Sequence, residues 1–487
     1  MTHFEPTKNK ILFGNTDKLA DWIAEELDQS KIIDKIRLML KNYLELDNVS
    51  FLFGSGTSIH LGAVAIRNFP YEVEKYIVEK NKEDGFKGIY EEFEATIKAL
   101  QSDFLKYGKD NFDEGSVDTF KNEKGWEFYI EDEFVRDGKS ADIALEYEKV
   151  LNYLIAKDFV FKEDKSQKRK DKISELITAI KEGLFEVCDL ERRSVSQTII
   201  DKKKASQFTK DIAQGELLQT RSKYIFHEKF IKALLQRPLN LRRANIFTAN
   251  YDLAFEYAFD KLGVHYIDGF SGFHKRFFKP ETFEYDIFYP GSTTSGKVQR
   301  IEKVVRYYKL HGSLSWVNSE FRDANNLYGI EEKSLELIES LKKKGEIIIY
   351  PSAVKKSYTL DLPYSELFRQ FASTITQSQS VLVTVGYSFG DEHFNDIIYQ
   401  ALSNPTFTLI VIDFQGTRNE YINNLKELND PRIIILEGDF FGDFLTFSDT
   451  LMPNFNNIDN NEKVANTLNE LLSTKVSKSE QAKESEE

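Results

Sequence analysis

The chain has 487 residues, 41% apolar and 13% aromatic, enough for about three domains or for one large domain carrying an insertion. Its 79 acidic and 65 basic residues leave a net charge of −14, which excludes a general binder of phosphate backbones and argues against direct nucleic-acid contact. The single cysteine, Cys188, rules out both an internal disulfide and a four-cysteine zinc site.

Met1 to Ile11 holds polar residues and Pro6 where a signal peptide needs an apolar run, and no stretch is apolar for long enough to span a bilayer. A cytoplasmic protein without membrane contact is therefore expected. Residues 1–46 read as a helical segment, because Leu19, Trp22, Ile23 and Leu27 recur at helical spacing. Val49 to Phe53 is a short apolar run that stops at Gly54-Ser55-Gly56-Thr57-Ser58, a buried strand feeding a glycine-rich turn. From residue 62 to 238 the pattern changes to charged segments with helical stripes. One stripe is Ala144, Tyr147, Leu151 and Leu154, and another is Ile173, Leu176, Ile180, Leu184 and Val187. This stretch is expected to be a helical insertion, with Lys162 to Lys172 as a solvated loop or helix end.

Strand-like runs resume after Pro238. They are Asn245 to Ala249, Tyr307 to Leu310, Ile347 to Tyr350, Val381 to Val385, Leu409 to Ile412 and Ile433 to Leu436. Continuous apolar, β-branched runs separated by helices predict an α/β fold: a Rossmann-like parallel sheet with helices on both faces and a large helical insertion. Residues 47–61 and 239–450 are assigned to that domain. Residues 451–487 are read as a C-terminal helix and a tail too polar to bury.

Five features lie where predicted strands end, the place at which open parallel sheets bind ligands. Gly54 to Ser58 offers glycines for a tight turn, with amides and the Ser55, Thr57 and Ser58 hydroxyls to meet a pyrophosphate; it also reads as a simple tight loop. In Thr248-Ala249-Asn250-Tyr251-Asp252, one polar residue suffices to cap the next helix, which frees the other for a ligand. His311, followed by Gly312, is placed to act as a general base near neutral pH. Gly386 and Ser388 are candidate ribose and phosphate contacts, with Asp391 as a helix cap. Asp413 is a candidate acceptor for adenosine ribose hydroxyls. The other histidines show no metal-ligand spacing, so no metal site is expected.

In order, Gly54 to Ser58, Thr248 to Asp252, His311-Gly312 and Gly386-Tyr387-Ser388 resemble the glycine-rich turn, the Thr-Gln-Asn-Ile-Asp, His-Gly and Gly-Thr-Ser motifs of sirtuins. The resemblance implies an NAD-binding Rossmann domain. Asn250 would order water and ribose hydroxyls, Asp252 would hold the nicotinamide amide, and His311 would be the catalytic histidine. Gly54, Gly56 and Ser58 would cradle the pyrophosphate, and Gly386 and Ser388 would hold the adenosine side.

Asn250 to His274, Tyr308 to Trp316 and Ile349-Tyr350-Pro351 also resemble the sirtuin-like subunits of bacterial antiphage systems paired with a HerA-type ATPase. That similarity implies NAD degradation, a homo-oligomer and an ATPase partner. The sequence departs from deacylating sirtuins in lacking the four zinc cysteines and the Pro-Asp-Phe-Arg stretch of the cofactor loop. The expected activity is hydrolysis of NAD to ADP-ribose and nicotinamide, without zinc and with low basal turnover. NAD-dependent protein deacylation and a non-catalytic nucleotide-binding scaffold remain the alternatives.

Overall fold

A computed structural model describes residues 4–25, 28–63, 69–96, 99, 147–161, 167–191, 222–289, 300–346, 363–414 and 420–453. Ala144, Lys162 to Ser166 of the charged run, the Ile347 to Tyr350 strand, Pro351 and the expected C-terminal tail lie outside the described residues, while the rest of the charged run begins the helix Gln167–Cys188.

The strands are β1 (Asn9–Phe13), β2 (Thr16–Asp17), β3 (Asn48–Phe53), β4 (Asn245–Thr248), β5 (His265–Ile267), β6 (Phe270–Ser271), β7 (Arg276–Phe278), β8 (Val304–Lys309), β9 (Trp316–Asn318), β10 (Ile330–Glu332), β11 (Ser380–Val385), β12 (Thr408–Asp413) and β13 (Ile433–Gly438). Nine of them form one sheet in the order β2-β1-β13-β12-β11-β3-β4-β8-β5. From β13 to β5 every neighbouring pair is parallel; β1 joins β13 antiparallel and β2 folds back on β1. The fold is a mostly parallel, Rossmann-like α/β sheet flanked by helices.

Side chains that alternate along each strand fill two cores, one on each face. Val49, Phe51 and Phe53 enter one face, together with Val381, Val383, Ile410 and Ile434. Leu52, Phe247, Leu382, Leu409 and Ile433 enter the other. The first core is closed by the helices Gln29–Leu44, Ile225–Leu234 and Ala254–Leu262. Tyr364–Ile375, Glu392–Leu402 and Glu420–Glu427 close the second.

The N-terminal segment is not wholly helical. Asn9–Phe13 is a strand whose Ile11 is buried against the sheet, and it covers the edge of β13 that would otherwise stand open. Five residues give too short a pattern to separate from the helices that follow.

In the insertion, Leu151, Leu154, Ile173, Leu176, Ile180, Leu184 and Val187 pack with Val73, Ile77 and Phe93 into a core of their own. The second helical stripe read from the sequence meets Leu151 and Leu154 of the first there. The helix Ile225–Leu234, which falls within the stretch read as insertion, packs instead on the sheet through Phe230, Ile231 and Leu234.

A second, antiparallel sheet, ordered β6-β7-β10-β9, is built from strands of two or three residues. Phe270, Phe278, Trp316 and Ile330 attach it to the second core. The sequence reading contains no counterpart to it.

Candidate functional site

Strand register sets the site. Phe53 is level with Val385 and with Thr248, Thr248 with Lys309, and Val385 with Ile412. The residues that follow these positions therefore emerge in one row along the carboxyl edge of β12, β11, β3, β4 and β8. Four inter-strand steps of roughly 4.8 Å make that row about 19 Å long. The chain leaves β3 toward β4 on one side and later returns to β11 on the other, so the topological switch point lies between β3 and β11.

At that point the two loops touch backbone to backbone. The Gly54 amide donates to the Val385 carbonyl and the Gly56 amide to the Gly386 carbonyl, both at 3.0 Å. A Cβ on Gly54 would stand 2.5 Å from the Gly386 oxygen, and one on Gly56 would stand 2.7 Å from the Gly386 Cα. Gly386 itself has φ +61°, a conformation that side chains rarely adopt. The Thr57 and Ser58 amides donate to the Gly54 and Ser55 carbonyls. The amides of Gly54, Gly56, Thr57 and Ser58 are thus spent inside the protein rather than turned toward a pyrophosphate. The glycines permit close approach of two loops, and Ser55 is the exposed member of the turn.

Asn250 leaves β4 and reaches back over this turn. Its amide nitrogen donates to the Gly54 carbonyl at 3.1 Å, to the Thr57 hydroxyl at 3.3 Å and to the Ser58 hydroxyl at 3.4 Å. Because a carbonyl only accepts, the NH2 group must face the turn. Asp252 caps the next helix, accepting from the Ala254 amide at 3.0 Å. Burial raises the Asp252 carboxyl above its ordinary range, opposed by Lys309, by that amide and by the Ser58 hydroxyl. Of the two polar residues, Asp252 caps the helix and Asn250 holds the turn.

Lys309, the last residue of β8, is the strut beneath both. Its buried ammonium donates to the Tyr251 carbonyl at 3.2 Å and to the Asp252 carbonyl, and pairs with Glu256 at 2.8 Å. Glu256 also accepts from the Tyr307 hydroxyl at 3.0 Å. Sequence reasoning passed over Lys309 and Glu256. Their signal was present, since a lysine inside an apolar run two residues before His311 requires a buried acid.

His311 stands next to that strut. Its ring stacks on Phe394 at 4.9 Å and 19°, with Tyr251 and Phe368 each at 6.3 Å. Its Nε2 lies 3.0 Å from Asp391 Oδ2, and both side chains are largely buried. Asp391 is indeed the N-cap of Glu392–Leu402, accepting from the His393 amide at 3.2 Å through Oδ1. Its pairing with His311 was not visible in the sequence. Elsewhere in the core, His60, stacked on His227 at 5.6 Å, is driven down to about 3 by burial and stays neutral. Ser388 is exposed on the β11 loop, and Asp413 is buried at the end of β12. The row thus brings Asn250, Asp252 and His311 together at one end and sets Asp413 at the other.

The four-stranded sheet extends this polar region. Ser313, two residues after His311, lies 3.0 Å from the Ser315 hydroxyl, which donates to Glu332 at 3.2 Å. Arg276 bridges Glu332 and both oxygens of Asp268, the latter at 2.9 Å. Burial, then the neighbouring Asp268 charge, pushes Glu332 up to about 8. The helix Gln167–Cys188 also reaches this area: Phe185 and Cys188 pack with Leu314 and Val317 and against Tyr251 and Leu253. Among the described residues no group of three or more His, Cys, Asp or Glu is arranged to hold a metal ion. No helix among them is long and apolar enough to cross a membrane.

Residues 244–429 match the SIR2-like domain. The span contains Asn250, Asp252, His311, Gly386, Ser388 and Asp413, and therefore most of the row. Strand β3, with Gly54 to Ser58, precedes the match in sequence but sits inside the same sheet between β11 and β4. The match supports the sirtuin-like resemblance; SIR2-like domains bind NAD+ and are typically NAD-dependent enzymes. No match to a curated protein was found.

Proposed function

We propose that this protein is an NAD+ glycohydrolase that converts NAD+ and water to ADP-ribose and nicotinamide. The observation that carries the reading is the meeting of Asn250, Asp252 and His311 at the carboxyl ends of adjacent strands within the SIR2-like span. A row about 19 Å long, crossing a topological switch point, suits an extended dinucleotide. Its Asp413 end takes the adenosine ribose, its middle (Ser55, Ser388) the phosphates, and its His311 end the nicotinamide ribose.

Each group then has a task. With its NH2 committed to the β3 turn, Asn250 presents its carbonyl oxygen to a ribose hydroxyl or to the attacking water. The Asp252 carboxyl holds the leaving carboxamide. His311 takes a proton from water or a ribose hydroxyl as the ribosyl–nicotinamide bond opens through an oxocarbenium-like state, a role worth about 10²–10⁴-fold in rate. Asp252, Glu256 and Asp268 outnumber Lys309 and Arg276 around this end, while Glu332 keeps its proton up to about pH 8; the negative excess suits a pyridinium and the cationic state derived from it.

The role proposed is bacterial antiphage defence by NAD depletion, in a homo-oligomer held at low basal activity and released by a HerA-type ATPase. The extended resemblance around Asn250 to His274 and Tyr308 to Trp316 supports it. Co-purification with an ATPase encoded next door, and the mass of the complex, test that part.

Incubating the protein with NAD+, with and without an acylated lysine peptide, tests the chemistry. ADP-ribose and nicotinamide formed without peptide are expected. O-acyl-ADP-ribose formed only with peptide would make the protein a deacylase, and NAD+ binding without any product would make it a scaffold.

A further inference from the structure

His311 has two ring nitrogens, and only one can serve as the base. In a neutral imidazole one nitrogen carries the proton and the other accepts. Nε2 lies 3.0 Å from Asp391 Oδ2, inside a buried contact. A carboxylate only accepts, so the nitrogen facing it must carry the hydrogen. We propose that Asp391 is a positioning residue that fixes His311 in the Nε2–H form and leaves Nδ1 as the basic nitrogen of the site.

The surroundings make Asp391 a rigid support. Its second oxygen caps the helix Glu392–Leu402 through the His393 amide, and its backbone carbonyl accepts from the Tyr387 hydroxyl at 3.2 Å and the Asn395 amide at 3.1 Å. Asn395 in turn donates to the Phe389 carbonyl at 2.6 Å, in a loop where Phe389 has φ +57°. Phe394, on the same helix, is the residue on which the His311 ring stacks. One short helix start therefore sets both the plane of the ring and its proton. For the hydrolase reading, on which the catalytic consequence rests, the proton leaving a water or ribose hydroxyl is transferred to Nδ1. The O–H bond breaks with its electron pair kept by oxygen, an N–H bond forms, and Asp391 stabilises the resulting imidazolium.

Asp391→Asn separates the two duties. The Asn carbonyl oxygen still caps the helix, but an NH2 now faces Nε2, which must accept, so the ring proton moves to Nδ1. Two-bond ¹⁵N–¹H spectra of the ¹⁵N-histidine-labelled protein, with His311→Gln supplying the assignment, read this directly. The expected wild-type pattern is protonated Nε2 with bare Nδ1, reversed in Asp391→Asn. In turnover, Asp391→Asn is expected to lower kcat by about 10²-fold or more with KM for NAD+ little changed. A wild-type His311 protonated on Nδ1, or an unchanged tautomer in Asp391→Asn, overturns the proposal. The wild-type spectrum alone decides it if the variant fails to fold. Absence of NAD+ turnover alongside the expected tautomers would remove the hydrolase reading and leave the Asp391 assignment standing.

Discussion

Where the nine-stranded sheet buries Phe51, Phe53, Leu382 and Ile410, the four-stranded sheet beside it buries Asp268 and the better part of Arg276 and Glu332. The first is held by area removed from water on two faces, a force that is strong and has little direction. The second relies on charges whose desolvation nearly cancels their attraction, so it gains little stability and much geometry. The two meet at His311, whose strand belongs to the large sheet and whose following residues, Ser313 and Ser315, belong to the charged network. Apolar packing makes the platform, and directional polar contacts aim the groups on it.

Changes to each sheet should therefore differ in size and in their response to pH. Phe53 is fully buried, its ring centre 5.0 Å from Phe230 and 4.7 Å from Phe255. Phe53→Ala is expected to cost about 4 kcal/mol in urea unfolding, at any pH. Arg276→Met leaves Asp268 and Glu332 facing each other without their cation and should cost about 3 kcal/mol. A loss below about 1 kcal/mol there would mean that the network is not desolvated.

Glu332→Gln should give a smaller, pH-dependent effect. Its folded pKa of about 8 lies above its ordinary 4.5, so the folded state keeps a proton that the unfolded chain releases. The stability that Glu332 contributes is therefore lost as pH rises from about 4.5 and its loss levels off above about 8. Glu332→Gln cannot titrate, so urea midpoints between pH 5 and 8 should fall less steeply in the variant; parallel slopes would refute the assignment. Smallest of all is Arg369→Ala, which breaks an exposed pair with Glu366 and should cost about 0.5 kcal/mol or less.

The same contrast explains what the sequence discloses. Parallel strands buried on both faces leave continuous runs such as Val381 to Val385 and Ile433 to Leu436, and their ends disclose Asn250, His311 and Gly386. The strands of the small sheet, such as Phe270–Ser271, are too short to show a period. Ion pairs between distant segments leave no local pattern either: Asp391 reads as a helix cap, which it is, and nothing nearby announces its hold on His311. Lys309 lies between the two cases, since its apolar surroundings signal a buried partner without naming Glu256.

The most direct test of the central claim is NAD+ consumption by the purified protein, alone and with any ATPase encoded next door, beside Asn250→Ala and His311→Ala. Release of ADP-ribose and nicotinamide by the wild type, lost in both variants while NAD+ still binds, is the predicted result. Undiminished release by His311→Ala would contradict it.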